Sequence, residues 1–133
     1  MNKSPNNKPN NIVRLSTTLD NLFYQWLEFL APFHHLSNRE MQVAVSLLRE
    51  RYYLSKKIIG DPNLLNKVLM GEDIGKKIRE EHGLSLQHFY VVKSKLTNKK
   101  FLIDNHINPR LIPNVIEGQS EFKLLFLFDI EWD

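Results

Sequence analysis

The 133-residue chain contains no cysteine. Disulfides, thiolate chemistry and any zinc finger built on cysteine are therefore excluded, and a reducing compartment is compatible with the sequence. Long apolar runs are missing too. None approaches the ~20 residues that a membrane helix needs, so no membrane partner is expected. The opening MNKSPNNKPNN has no apolar core of the kind a signal peptide carries, which makes a cytoplasmic location the expectation. There is no glycine-rich phosphate loop. His34, His35, His82, His88 and His106 show no metal-binding spacing such as His-Glu-x-x-His. Glu80-Glu81 has no nucleophile beside it that would suggest acid–base catalysis. Neither an enzyme activity nor a cofactor nor a metal is expected.

What is present fits one domain with a single core. Net charge is only +3, but its distribution is uneven. Residues 76–110 hold eight Lys or Arg against three Asp or Glu, whereas 117–133 hold five acidic residues against Lys123 alone. A basic middle beside an acidic end suggests one face for an anionic partner.

Residues 1–11 are Asn, Pro, Lys and Ser with almost no apolar content, the composition of a disordered arm. The remaining 12–133 read as one domain. Ile12, Val13 and Leu15 could form a short strand. Thr18 offers an N-cap to a helix over about 19–31, where Leu19, Leu22, Phe23, Trp26, Leu27 and Leu30 make one apolar stripe ended by Pro32. Ser37-Asn-Arg-Glu40 is a capping box, with Leu36 and Met41 placed as its hydrophobic staple. The helix it opens is expected to reach about Tyr53, with Met41, Ala44, Leu47, Leu48 and the stem of Arg51 inward. Asp61-Pro62 opens a short helix to Leu69 with Leu64, Leu65, Val68 and Leu69 as its apolar face.

Residues 72–82 read as a helix with Ile74 and Ile78 inward. Gly83 suits the left-handed position that ends it, and Ser85 caps the next helix, over 86–99. On this second helix Phe89, Val92 and Leu96 fall within about 60° of one another and should face the core. The opposite side carries Gln87, Tyr90, Val91, Ser94 and Asn98, mostly able to hydrogen-bond bases or phosphates. Lys93, Lys95, Lys99 and Lys100 add positive charge. A hairpin is expected next: a strand over 101–103, a turn at 104–106 and a return strand over 107–112, with His106 and Arg110 near its tip.

The stretch IGKKIREEHGLSLQHFYVVKSKLTNKKFLID resembles a winged helix-turn-helix. LSNREMQVAVSLL resembles the opening of the LuxR-type and sigma-region-4 helix-turn-helix, although 51–71 lie between that first helix and the helix pair. The asparagine- and lysine-rich style also looks like small proteins of phages infecting Bacteroidota, which would place the protein in the host cytoplasm. The resemblance implies a mainly α fold with a small antiparallel β-sheet. It also implies a transcription regulator that binds double-stranded DNA by placing helix 86–99 in the major groove. Gln87, Tyr90, Val91, Ser94 and Asn98 would contact bases; Lys93, Lys95, Lys99, Lys100 and Arg110 would contact phosphates.

The closing segment 121–130 alternates Phe122, Leu124, Phe126, Phe128 and Ile130 on one face, with Leu125 and Leu127 on the other. It reads as a strand partly covered on both faces, with acidic residues at its ends as gatekeepers. It could pair with the hairpin, with residues 12–15, or with a second subunit. The alternative function is a protein-interaction or assembly module, such as a virion or packaging component, using the 19–30 helix and this strand. Either element could support a homodimer.

Overall fold

A computed structural model describes residues 12–133; the arm expected over 1–11 lies outside the described residues. Most of the fold is helical, with a two-stranded antiparallel sheet. Among the described residues, no helix is long and apolar enough to cross a membrane.

Helix α1 (Leu19–Phe29) starts where Thr18 Oγ1 accepts from the Asn21 amide at 3.3 Å. It buries Phe23 and Leu27. Half-buried Trp26 donates its indole N–H to the Leu111 carbonyl, 2.9 Å away, which satisfies the one polar group of an otherwise apolar side chain. The helix ends at Phe29 with Leu30 as its C-cap, slightly short of the expected 31, and a separate turn α2 (Ala31–His34) follows. Pro32 opens that turn as well as ending the first helix. His34 is buried there: its Nδ1 accepts from the Leu36 amide at 3.0 Å, leaving Nε2 to donate to the Leu27 carbonyl at 2.7 Å. Both ring nitrogens are thus used in packing the chain reversal.

Helix α3 (Asn38–Lys57) is the centre of the molecule and packs against α1 and each later helix. Both arms of its capping box form: Glu40 N–H donates to Ser37 Oγ (3.4 Å) and Ser37 N–H to Glu40 Oε1 (3.1 Å). It runs four residues beyond Tyr53, held at its end by the Ile58 amide on the Leu54 carbonyl. Helix α4 (Pro62–Leu69) is capped by Asp61, which accepts from the Leu64 amide at 3.0 Å. Of its four expected inward residues only Leu65 and Leu69 are buried; Leu64 and Val68 face solvent. An eight-residue helix at the edge of the fold meets the core along one narrow line.

Helices α5 (Glu72–His82) and α6 (Leu86–Asn98) are joined by three residues. Gly83 adopts φ 62°, and Leu84 N–H donates to the Arg79 carbonyl at 2.8 Å, the six-to-one bond of a left-handed helix stop. Ser85 Oγ then accepts from the His88 amide at 3.1 Å. Phe89, Val92 and Leu96 are buried with Ile78. Gly75 lets the two helices approach, since a Cβ there would lie 3.3 Å from the Phe89 ring.

Lys100 ends α6 as Gly83 ends α5. Its φ is 67°, and Phe101 N–H donates to the Leu96 carbonyl at 2.9 Å. Strands β1 (Leu102–Ile103) and β2 (His106–Ile107) follow, pairing Leu102 with Ile107 and Ile103 with His106. Asp104 and Asn105 both have positive φ, 50° and 61°, as a two-residue hairpin turn requires. The turn is thus tighter than expected, and His106 already belongs to the return strand. That strand ends at Ile107, well short of Ile112. Pro109 has no N–H to offer a ladder and opens a 3-10 turn, Pro109–Leu111, capped by Asn108.

Two expected strands are absent. Residues 12–18 and 112–133 have no regular secondary structure apart from isolated turns. The two-residue strands next to Pro109 present no ladder edge long enough to take up 121–130. The tail instead runs past α1, with Phe122 against Trp26 (centroids 5.8 Å apart) and Phe126 against Phe29 (5.9 Å). Its other face is bare: Leu125 and Leu127 are exposed.

Candidate nucleic-acid interface

Helix α6 presents two opposed faces. Phe89, Val92 and Leu96 anchor one in the core, which fixes the rotation of the helix about its axis. The other holds Gln87, Tyr90, Val91, Ser94 and Asn98, all exposed. These five residues recur at steps of one, three and four, so they form one continuous strip. Gln87 lies in the first turn and Asn98 at the last residue.

The cations expected beside this strip differ in state. Lys95, Lys100 and Arg110 are exposed and in no ion pair among the described residues. Lys93 is half-buried, with its Nζ 5.7 Å from the centroid of the Phe89 ring, and burial pushes its pKa below the ordinary lysine value. Lys99 folds away from solvent: its Nζ donates to Glu40 Oε1 at 2.6 Å and to the His35 carbonyl at 2.9 Å. Burial raises the Glu40 pKa, but hydrogen bonds from Lys99 and Ser37 more than offset it and hold the carboxyl below its ordinary value. Arg110 sits on the 3-10 turn, away from the hairpin tip, which is Asp104-Asn105. His106 is half-buried, its Nδ1 3.1 Å from the Ile107 carbonyl.

A second set of charges orients the helix pair. Arg49 grips Glu81 with both terminal nitrogens, Nη1 at 2.9 Å, and Ser46 Oγ lies 2.7 Å from His82 Nε2. Buried Glu50 accepts from Arg49 Nε at 3.2 Å and from Lys77 Nζ at 2.9 Å. The hydrogen bond to Glu81 raises the Arg49 pKa, and the Glu81 carboxyl is correspondingly lowered. Glu81 is therefore a link between α3 and α5, and nothing in its local sequence marks it apart from Glu80. The network takes up Lys77 and Glu81 from 76–110, so it leaves the net charge of that stretch unchanged; Lys76 on α5, like Lys95, Lys100 and Arg110, stays exposed and in no ion pair among the described residues.

The acidic tail lies elsewhere. Glu117 pairs with Lys56 at 3.0 Å and Glu121 with Arg14 at 2.9 Å, so neither neutralises the α6 strip. A concavity of about 310 Å³ between α1, α3 and residues 109–115 is lined by Phe23, Arg51, Tyr52 and Val115 among others. It shares no residue with the strip. Among the described residues no three His, Asp or Glu converge to hold a metal ion.

Comparison with protein-family models finds no match, and comparisons with curated proteins and with solved structures find none either.

Proposed function

We propose that this protein binds duplex DNA through a winged helix-turn-helix made of α5, α6 and the β1–β2 hairpin, with α6 entering the major groove. The observation that carries the proposal is the exposed, hydrogen-bonding strip on α6, bordered by Lys95 and Lys100, whose buried opposite face holds it outward. A helix fits the major groove, where Gln and Asn side chains can pair with adenine edges and apolar atoms meet thymine methyls. Gln87, Tyr90, Val91, Ser94 and Asn98 are the base-reading residues of this proposal. Lys95, Lys100 and Arg110 hold phosphates, and half-buried Lys93 reaches one by extending past Phe89. Lys99 contributes less, because its ammonium is already bound. The biological role that follows is transcription regulation.

The test is affinity for duplex DNA across a salt series. Three to four phosphate contacts predict a slope of about −3 in log affinity against log salt. A Lys95→Glu/Lys100→Glu double variant with an unchanged helical spectrum should lose binding. An affinity indifferent to both salt and substitution rejects the proposal.

The exposed tail favours a second reading, an assembly module working through α1 and 121–130. In that case association should proceed equally with and without DNA.

A further inference from the structure

The segment after Glu121 is unusual for a folded surface. Leu125, Leu127 and Phe128 are 80%, 81% and 84% exposed, and Ile130 and Trp132 follow them into solvent. Among the described residues, no backbone–backbone hydrogen bond is made by residues 120–133. An alternating, β-prone stretch is thus left with unpaired backbone and bare apolar side chains, the condition that invites pairing with another strand.

We propose that residues 121–131 pair antiparallel with the same segment of a second copy of this chain, with Phe126 opposite Phe126. Directly opposed residues in an antiparallel pair share a face, and a one-residue slip sends every side chain to the wrong side. Only registers that keep Phe122, Leu124, Phe126, Phe128 and Ile130 together are therefore acceptable. Among these, centring on Phe126 places Lys123 opposite Asp129 twice by symmetry, and Leu125 opposite Leu127 twice. Shifting the centre to Leu125 sets Glu121 against Asp129. Shifting it to Leu127 sets Leu125 against Asp129. The chosen register leaves one like-charged match, Glu121 with Glu131, and Glu121 is already held by Arg14 at 2.9 Å.

A two-stranded ribbon is marginal by itself and needs an apolar layer beneath it. Trp26 and Phe29 of α1, which already touch Phe122 and Phe126, supply that layer from each copy. The contact is isologous, the same edge of the tail meeting itself in both copies, so this pairing closes at two chains. The tail touches α1 and none of the α6 strip, so failure of this proposal leaves the nucleic-acid reading untouched.

The full chain should sediment as a dimer that dissociates on dilution. Lys123 and Asp129 are exposed, so substituting them should not disturb the fold of each chain, and an unchanged helical spectrum confirms this. Lys123→Asp places like charges opposite each other twice and should weaken the dimer about tenfold; Asp129→Lys should do the same. The combined Lys123→Asp/Asp129→Lys variant restores both pairs and should recover wild-type affinity. A chain that stays monomeric at every concentration overturns the proposal and leaves a different protein as the occupant of the tail. A dimer indifferent to the single substitutions, or one that the charge swap fails to restore, overturns it as well.

Discussion

The Lys99 ammonium donates to the Glu40 carboxylate across 2.6 Å, tying the last turn of α6 to the first turn of α3. The Glu40 side chain is 6% exposed and that of Lys99 35%, so the pair is shielded on one side only. Removing Lys99 leaves a buried carboxylate with only the Ser37 amide and hydroxyl as partners. Lys99→Met should therefore lower stability by about 1–2 kcal/mol, less than a fully buried pair would cost because solvent screens the lysine. Thermal or denaturant unfolding measures this. The same variant should keep the salt slope of any DNA binding, since the Lys99 ammonium is already held by Glu40 and the His35 carbonyl. A slope reduced by about one would instead return Lys99 to the phosphate contacts.

The same pair has a pH signature. The folded-state pKa of Glu40 is depressed below its ordinary 4.5. An acid that binds its proton less readily when folded adds stability above its unfolded pKa. That stability is lost as pH falls through the folded value. Glu81, depressed by Arg49, acts in the same direction. Stability should therefore decline on acidification below about 4.5, a decline read from unfolding midpoints across a pH series. In Lys99→Met the decline should be shallower, because the lowering due to Lys99 has gone.

Lys100 joins a strained backbone position to the phosphate contact proposed for it, and the two should pull apart on substitution. Its φ of 67° is a left-handed conformation that glycine adopts freely and lysine does not. Lys100→Gly should raise stability by about 0.5–1 kcal/mol. It should also remove one phosphate contact, so the salt slope should become shallower by about one. A more stable protein that binds DNA less tightly is the expected result. Equal affinity would place Lys100 outside the interface.

Local chemistry was the legible part of this chain. Ser37 and Glu40 lie three residues apart, Gly83 and Ser85 two apart, and each cap depends on backbone groups within the same turn. The burial of Phe89, Val92 and Leu96 followed from a three-and-four spacing for the same reason. Glu40 and Lys99 are 59 positions apart and Arg49 and Glu81 are 32 apart. Nothing local says which lysine or which glutamate is taken up. The strand expected over 121–130 does not form within the single chain for a related reason: alternation reports what a strand would look like, whereas a strand exists only beside a partner. Arg110 was misplaced because Pro109, adjacent to it, turned the chain out of the ladder.

The two faces of α6 should separate stability from recognition. Leu96 is fully buried, and truncation to alanine should cost about 2–5 kcal/mol through lost burial and the cavity left behind. Tyr90, at 58% exposure on the opposite face, packs little of its ring in the core. Tyr90→Ala should change stability by less than about 0.5 kcal/mol. If the exposed strip is the recognition surface, Tyr90→Ala and Gln87→Ala should nonetheless weaken DNA binding. Gln87→Ala should cost about 1–3 kcal/mol for the preferred site and much less for unrelated duplexes, because a lost base contact matters only where the right base is present. Competition binding with specific and random duplexes measures both. Equal losses on every duplex would mean that Gln87 contacts the backbone, and no loss on any would remove α6 from the interface altogether.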